Sequence, residues 1–142
     1  MNGRYQPNLL SCIRYSSFDD IYLDEFTDKP ADGTYLNHFD NHKVEEEKEF
    51  RNGRAHGPHK KWWPDGKLRF ERHLNDGLLD GVSTHWHFNG QISSKSFYVA
   101  GQHQGLHECW WENGNRSSIH IWSDGGLQEE TYFREDGSEV ST

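Results

Sequence analysis

Apolar and polar positions recur along this 142-residue chain with a period of 24 residues. Four series of equivalent positions keep this interval in phase: Gly53, Gly77, Gly101 and Gly125; Gly57, Gly81 and Gly105; Gly66, Gly90 and Gly114; Trp62, Trp86 and Trp110. Self-similarity at a fixed period is the sequence signature of a repeat architecture. The pattern therefore predicts a chain built from successive copies of one small unit.

Each clear copy contains two turn signals of the Asn-Gly or Asp-Gly type, for example Asn52-Gly53 and Asp65-Gly66. Such dipeptides are the strongest short-range signal for a β-hairpin, because they supply the positive φ angles of tight turns. The segments between turns alternate as half-buried strands do. In the segment KLRFERHL, one face receives Leu68, Phe70 and Leu74, and the other receives Lys67, Arg69 and Glu71.

This pattern predicts an all-β fold, an elongated single-layer antiparallel sheet of stacked β-hairpins. One two-stranded unit is marginal in water, whereas stacked copies bury a continuous apolar stripe. A glycine also falls inside the first strand of each copy, at Gly57, Gly81 and Gly105. We expect a bulge or a close backbone approach there, with the tryptophan of a neighbouring copy packed over the glycine.

Residues 1–142 are interpreted as a single repeat domain. Three clear repeats occupy residues 53–124, and degenerate copies at 5–28 and 29–52 precede them. A truncated copy at 125–142 follows, one residue short because Gly137 lies 23 positions after Gly114. The weak first and last copies are expected to cap the exposed sheet edges. Pairing of two chains through the ends is open, so the oligomeric state is not predicted.

The segments FRNGRAHGPHKKWWPDGKLRFERHLNDG and GLLDGVSTHWHFNGQISSKSFYVAG resemble MORN repeats. They are most similar to the bacterial variant, in which Gly-x-x-x-Gly is followed by Trp or Tyr and an Asn-Gly or Asp-Gly turn. The resemblance covers residues 53–124 well and the flanking copies loosely. It implies a right-handed twisted sheet of antiparallel hairpins. It also implies two functions: bacterial proteins of this kind are often described as antitoxins or immunity proteins, whereas eukaryotic MORN proteins are associated with membranes or scaffolds.

Composition and charge narrow the choice of partner. The formal net charge is -8, a sign that repels nucleic-acid backbones and anionic membranes and attracts a basic protein. The same charge also serves solubility alone. The N-terminal residues lack an export signal, and no apolar stretch is long enough to span a membrane, so a cytoplasmic location is expected. Cys12 and Cys109 are expected to be reduced thiols.

Ten histidines raise the possibility of a zinc site. If strands of equivalent position were side by side, His85 would neighbour Cys109, and His59, His87 and His107 would share their face. No short spacing between ligands supports a zinc site. The histidines are therefore interpreted as polar side chains at equivalent positions of successive strands, and no metal or cofactor is predicted. No nucleophile elbow, phosphate loop or partnered nucleophile stands out, and a buried role suits Cys109 better than a reactive one. The protein is therefore expected not to be an enzyme.

The candidate binding residues are an aromatic series that repeats between copies and a run of acidic residues. Trp62, Trp86 and Trp110 do not vary between copies and are assigned to packing, which leaves Trp63, His87 and Trp111 on the opposite face as a candidate interface strip. The acidic run Glu45, Glu46 and Glu47 covers both strand faces, so at least one carboxylate must point inward if the strand is regular. A solvated edge and a docking site for a basic partner are both open for it.

The leading functional hypothesis is a non-enzymatic antitoxin or immunity protein that binds and neutralises a cytoplasm-acting bacterial toxin, with a basic nuclease as one possibility. The alternative is a MORN-type scaffold or membrane-associated interaction module. A carbohydrate-binding module is a third possibility, because aromatic strips stack on sugar rings.

Overall fold

The computed structural model describes residues 13–141, which form an all-β protein of thirteen strands. The strands are β1 (Ile13–Ser16), β2 (Ile21–Asp24), β3 (Gly33–His38), β4 (Val44–Arg51), β5 (Arg54–Trp62), β6 (Leu68–Asn75), β7 (Leu78–Leu79), β8 (Gly81–Trp86), β9 (Ile92–Val99), β10 (Gln102–His103), β11 (Gly105–Trp110), β12 (Arg116–Ser123) and β13 (Gly126–Tyr132). No residue in this described range is helical.

Strands β3 to β13 form one antiparallel sheet in which spatial order follows chain order. The hairpins β3–β4, β5–β6, β8–β9 and β11–β12 come in succession, and β13 lies at the far edge. The short strands β7 and β10 pair back onto β6 and β9. This arrangement confirms the predicted all-β fold of neighbouring antiparallel hairpins.

Two kinds of turn alternate along the sheet. The turns that link successive copies have two central residues with positive φ, such as Asp76 (47°) and Gly77 (87°). This is the geometry of a type I′ hairpin. In the turns inside each copy the glycine has positive φ, at Gly66, Gly90 and Gly114, while the Asp or Asn before it does not. The Gly66 N–H donates to the Trp63 carbonyl, and the strand register shifts between Lys61 and Trp62, as in a turn closed by a glycine bulge.

The glycine inside each first strand is explained by its backbone conformation. Gly57, Gly81 and Gly105 have φ angles of 94°, 102° and 71°. Register between strands moves by two residues at these positions, as between the pairs Leu74–Leu79 and Phe70–His85. The predicted bulge is present, but the expected tryptophan cover is wrong. A Cβ added at Gly57 would meet Glu49, one at Gly81 would approach only His73, and one at Gly105 would meet nothing within 4 Å.

The buried apolar residues lie at the N-terminal end of the sheet. Ala31, Tyr35, Phe50 and Ala55 are at most 8% exposed, and Ile13 and Leu74 pack against them. Strands β1 and β2 form a separate two-stranded sheet, from which Ile13 and Tyr22 contact this cluster. Tyr22 N–H donates to the Gly53 carbonyl at 2.7 Å, which fastens this N-terminal hairpin to the turn between β4 and β5.

The two ends of the described chain differ from the central copies. The turn of the N-terminal hairpin spans residues 17–20, two positions later than a regular copy would place it. At the other end, Gly137 N–H donates to the Arg134 carbonyl, as Gly114 N–H does to the Trp111 carbonyl, so the turn has its usual length and the missing residue lies before it, where β12 and β13 shift register by one residue. Phe133 and Glu139 then form an isolated bridge, so residues beyond the turn begin to pair along β13.

Candidate interaction surfaces

Strand alternation divides the side chains of the main sheet between two faces. One face, the histidine face, carries five imidazoles on β5, β8, β10, β11 and β12: His59, His85, His103, His107 and His120. The other face carries Val82, Phe97, Leu106 and Ile121 on β8, β9, β11 and β12. Because the sheet is a single layer across these strands, both faces meet solvent there.

His59 is the most buried residue of the histidine face, with 2% of its surface exposed. Its Nε2 lies 2.5 Å from Glu46 Oε1, and Arg72 Nε–H donates to its Nδ1 at 3.0 Å. Since Arg72 requires an acceptor, the ring is neutral with its proton on Nε2, which donates to Glu46. Burial lowers the pKa of His59, and the hydrogen bond from His59 holds the pKa of Glu46 below its usual value.

The remaining imidazoles form a nearly continuous row of ring contacts. His103 stacks on Trp122 at 4.7 Å and on His107 at 5.4 Å, and His107 contacts His120 at 5.4 Å. His85 lies 5.3 Å from Phe70. Burial is the main cause that lowers the pKa of His85, His103 and His107, and neighbouring positive charge lowers each of them further. The lowered pKa values favour the neutral form of these three rings.

The arrangement of the histidines does not match the spacing considered for zinc. His85 and Cys109 are not neighbours, because β9 lies between them and both pair with Ser94. Cys109 Sγ instead lies 3.4 Å from His107 Nε2. Across residues 13–141 no group of three or more His, Cys, Asp or Glu side chains is placed to hold a metal ion. Cys12 lies outside the described residues.

The predicted interface strip lies at the hairpin turns that follow β5, β8 and β11. Trp63 contacts Phe88 edge to face at 5.6 Å, His87 Nε2 donates to the Trp110 carbonyl at 2.8 Å, and Trp111 Nε1–H donates to the Phe133 carbonyl at 3.1 Å. Each of the three side chains thus reaches the next copy. Trp63 and His87 are half-buried and Trp111 is 36% exposed, so the strip is less open than expected.

The tryptophans assigned to packing are half-buried as well. Trp62, Trp86 and Trp110 stand beside the bulge of each copy, where the strand register shifts. The expected contrast between a buried and an exposed aromatic series is therefore weak. Both series contribute to the stack, and a role for Trp63, His87 and Trp111 in binding stays a prediction.

The acidic run lies in β4, which is paired on both sides, by β3 and by β5. A solvated sheet edge is therefore the wrong description of it. Glu46 points inward to His59, which confirms that one carboxylate of the run faces the interior. Glu45 accepts a hydrogen bond from Asn37 Nδ2 at 3.3 Å, and Glu47 lies opposite Lys60 in the strand register. The three carboxylates are half-buried, and their role in docking stays a prediction.

The face opposite the histidines carries an exposed apolar surface that the sequence interpretation missed. The apolar row consists of Val82, Phe97, Leu106 and Ile121, which are 40% to 49% exposed. Val82 pairs with Phe97 and Leu106 pairs with Ile121, and all but Ile121 line one shallow groove of about 250 Å³. The signal was present in the sequence, because Val82 precedes Leu106 by 24 residues and Phe97 precedes Ile121 by 24.

The chain is similar to one known repeat family. A family model described as a MORN repeat variant matches residues 55–76 and 79–100. These segments coincide with the hairpins β5–β6 and β8–β9. No curated protein matches the chain. In residues 13–141 there is no helix with the length and apolar character needed to cross a membrane. The fold and the matched segments define a β-hairpin repeat protein, a class that suggests a protein-interaction or scaffold module.

Proposed function

We propose that this protein is a non-enzymatic interaction module that binds and neutralises a basic bacterial toxin in the cytoplasm, and that the apolar row is its contact surface. The observation that carries the proposal is the exposure of four large apolar side chains in one line across four adjacent strands. Contiguous exposed apolar surface on an otherwise polar protein favours a protein interface.

The groove itself carries one charge of each sign, Lys95 and Glu108, so the β13 end of the apolar row is the part that favours a basic partner. Ile121 at the end of the row lies opposite Glu129 of the edge strand β13, which is exposed. Residues 124–141 contain six acidic residues and a single basic residue, Arg134. An apolar strip that ends in uncompensated carboxylates suits a partner with an apolar centre and a basic rim, and the charge would also speed encounter.

The test is co-expression with a toxin encoded beside the gene. Wild-type protein should restore growth and should be recovered in complex with the toxin. Leu106→Asp and Phe97→Asp should abolish both, because a buried unpaired carboxylate at an interface centre is strongly unfavourable. Phe18→Asp is the matched control, because Phe18 is 96% exposed in the turn of the N-terminal hairpin.

A toxin that kills cells equally with and without the wild-type protein would refute the neutralising function. If the toxin is neutralised but the variants in the apolar row retain full protection, the surface assignment is wrong. Trp111→Ala then tests the hairpin tips, and Glu47→Lys tests the acidic run. A further arm measures liposome flotation, because the alternative function is a MORN-type scaffold or membrane-associated module, and a membrane-associated protein would float where an antitoxin stays in solution.

A further inference from the structure

A cavity of about 360 Å³ lies beneath the N-terminal hairpin, between that hairpin and the main sheet. Tyr15 and Tyr22 of the hairpin line one side, and Lys48, Arg54 and Leu74 line the other. The volume lies within the range of small-molecule sites in proteins, about 300 to 1,000 Å³. The cavity is separate from the apolar row, so an inference about it does not rest on the proposed function.

Two cations, Lys48 and Arg54, line this cavity without a salt bridge to any of the described residues. The Lys48 ammonium lies 5.5 Å from the ring centroid of Phe50 and 5.9 Å from that of Tyr22. Within residues 13–141, the Lys48 ammonium and the Arg54 guanidinium have no carboxylate within 4.0 Å and no hydrogen bond. Burial lowers the pKa of Lys48, and the charge of Glu46 offsets this only in part.

The carboxylates of the same cavity are already engaged. Asp20 accepts a hydrogen bond from the Tyr15 hydroxyl at 2.5 Å. Asp76 Oδ1 lies 3.7 Å from Arg51 Nη2 and 3.8 Å from His56 Nδ1. The positive groups are therefore the ones left to bind a ligand, while Asp20 and Asp76 would repel a doubly charged anion such as a phosphate monoester.

We propose that this cavity binds a singly charged carboxylate attached to an aromatic or other apolar group. The Lys48 ammonium would form an ion pair with the carboxylate, and the Arg54 guanidinium would donate two hydrogen bonds to it. Tyr15, Tyr22 and Leu74 would contact the apolar group, since the two tyrosine rings already lie 5.5 Å apart at an angle of 59°. The carboxylate belongs to a free small molecule or to the C-terminus of a peptide, and the chemistry is the same in both.

The test is a titration of the full chain, followed by the amide signals of Gly53 and Gly77, with phenylacetate as the probe. We expect saturable shifts with a dissociation constant on the order of 1 mM, a normal affinity for so small a ligand. Benzyl alcohol, acetate and phenyl phosphate should each bind at least about tenfold more weakly, because each lacks the apolar group or the single negative charge.

Matched variants assign the contacts. Lys48→Met should weaken phenylacetate binding at least about tenfold, the value of one charge-assisted hydrogen bond. Lys60→Met should leave it unchanged, because Lys60 lies on the opposite face of the adjacent strand β5. If Lys48→Met does not fold, Arg54→Met replaces it, since Arg54 is exposed and its loss removes no packing.

A second titration distinguishes the two sources of the carboxylate. It compares a tetrapeptide that ends in phenylalanine with a free C-terminus and the same peptide with a C-terminal amide. Binding of the acid but not the amide indicates a protein C-terminus, and binding of phenylacetate alone indicates a free small molecule. The proposal is overturned if neither acid shifts Gly53 or Gly77, if benzyl alcohol binds as well as phenylacetate, or if phenyl phosphate binds more tightly than phenylacetate.

Discussion

The N-terminal end of the sheet and its central copies are built from the same hairpin but stabilised differently. Around Phe50 the N-terminal hairpin covers the histidine face, and of residues 13–141 the four apolar ones below 9% exposure lie there. In β8, β9 and β12 the buried residues are Ser83, Ser96 and Ser118 instead. In a single-layer sheet only small side chains between larger neighbours are buried. Where the N-terminal hairpin adds a second layer, whole aromatic rings are buried.

This difference indicates where stability and binding reside. The covered end resembles a small globular core, in which the loss of packing is costly. The central copies rely on neighbour contacts that repeat along the stack, as in other repeat proteins, and they leave large apolar side chains at the surface. The apolar row lies on β8 to β12, on the face opposite the one that the N-terminal hairpin covers, so the part of the sheet with a single layer offers the most surface for a partner.

The largest expected effect is the loss of Phe50. Phe50 is 3% exposed and contacts Tyr35 and Tyr22, so Phe50→Ala should lower the free energy of unfolding by about 3 to 5 kcal/mol. The same change at Phe97, which is 42% exposed, should cost about 1 kcal/mol. Urea denaturation of both variants measures the difference. Equal losses would mean that the N-terminal hairpin does not cover Phe50 in solution.

Next in size is the effect of a methyl group at Gly53, in the turn between β4 and β5 that contacts the N-terminal hairpin. A Cβ at Gly53 would lie 2.7 Å from Ile21 Cβ and 2.8 Å from the Tyr22 carbonyl oxygen, whereas one at Gly77, the same turn position one copy later, meets nothing within 4 Å. Both glycines have positive φ, which alone costs alanine about 1 to 2 kcal/mol. Gly53→Ala should therefore destabilise by about 2 kcal/mol more than Gly77→Ala in the same denaturation experiment.

The central copies could be predicted from the sequence, and the covered end could not. Turn residues such as Asp76 and Gly77 fix the local chain direction, and alternation fixes which side chains share a face, so period and hairpin order followed directly. The packing of the N-terminal hairpin is a tertiary contact. Nothing in the spacing of Tyr22 or Phe50 indicates that the hairpin leaves the register of the repeat and lies over the sheet.

The candidate site was predicted less well for a related reason. Invariance between copies assigned Trp62, Trp86 and Trp110 to packing and left Trp63, His87 and Trp111 as the interface strip, but both series contact the stack and the contrast in exposure between them is weak. The apolar row repeats as well, through Val82 and Leu106, yet its exposure depends on the absence of a second layer, which is a property of the whole fold. The contact between His59 and Glu46 depends on the pairing register of β4 with β5, which spacing alone did not give.

A smaller loss is expected for a central tryptophan. Trp86 is half-buried beside the bulge of its hairpin, so Trp86→Ala should cost about 2 to 3 kcal/mol, below the full value for a buried aromatic residue. Thermal and urea unfolding of Trp86→Ala and Phe50→Ala provide the comparison. A larger loss at Trp86 would place the main stabilising contacts in the stack rather than in the covered core.

Acid should weaken the histidine face. The pKa values of His59, His85, His103 and His107 are lowered in the folded protein, chiefly by burial, so below about pH 6.5 the unfolded chain takes up protons that the folded chain resists. The lowered pKa of Glu46 acts in the same direction at lower pH, since its contribution is lost as the carboxylate is protonated. Stability should therefore fall from pH 7 to pH 5.

Urea denaturation across this pH range measures the effect. The double variant His103→Gln and His107→Gln removes two stacked rings, so its stability should fall less steeply than that of the wild type. His73→Gln is the control, because His73 is exposed on the other face of the sheet. A profile that is flat between pH 7 and pH 5 would contradict the burial of these imidazoles.

The smallest effect is a gain, and it compares the same turn at the two parts of the sheet. Asn52 and Ala100 both occupy the first central position of a linking turn, with φ angles of 51° and 48°. Asparagine tolerates this left-handed conformation, whereas alanine is strained in it. Ala100→Asn should raise the free energy of unfolding by about 0.5 to 1 kcal/mol, and Asn52→Ala should lower it by a similar amount. If Asn52→Ala costs much more, Asn52 has a further role in holding the N-terminal hairpin, and the docked end depends on its turn more than the central copies do.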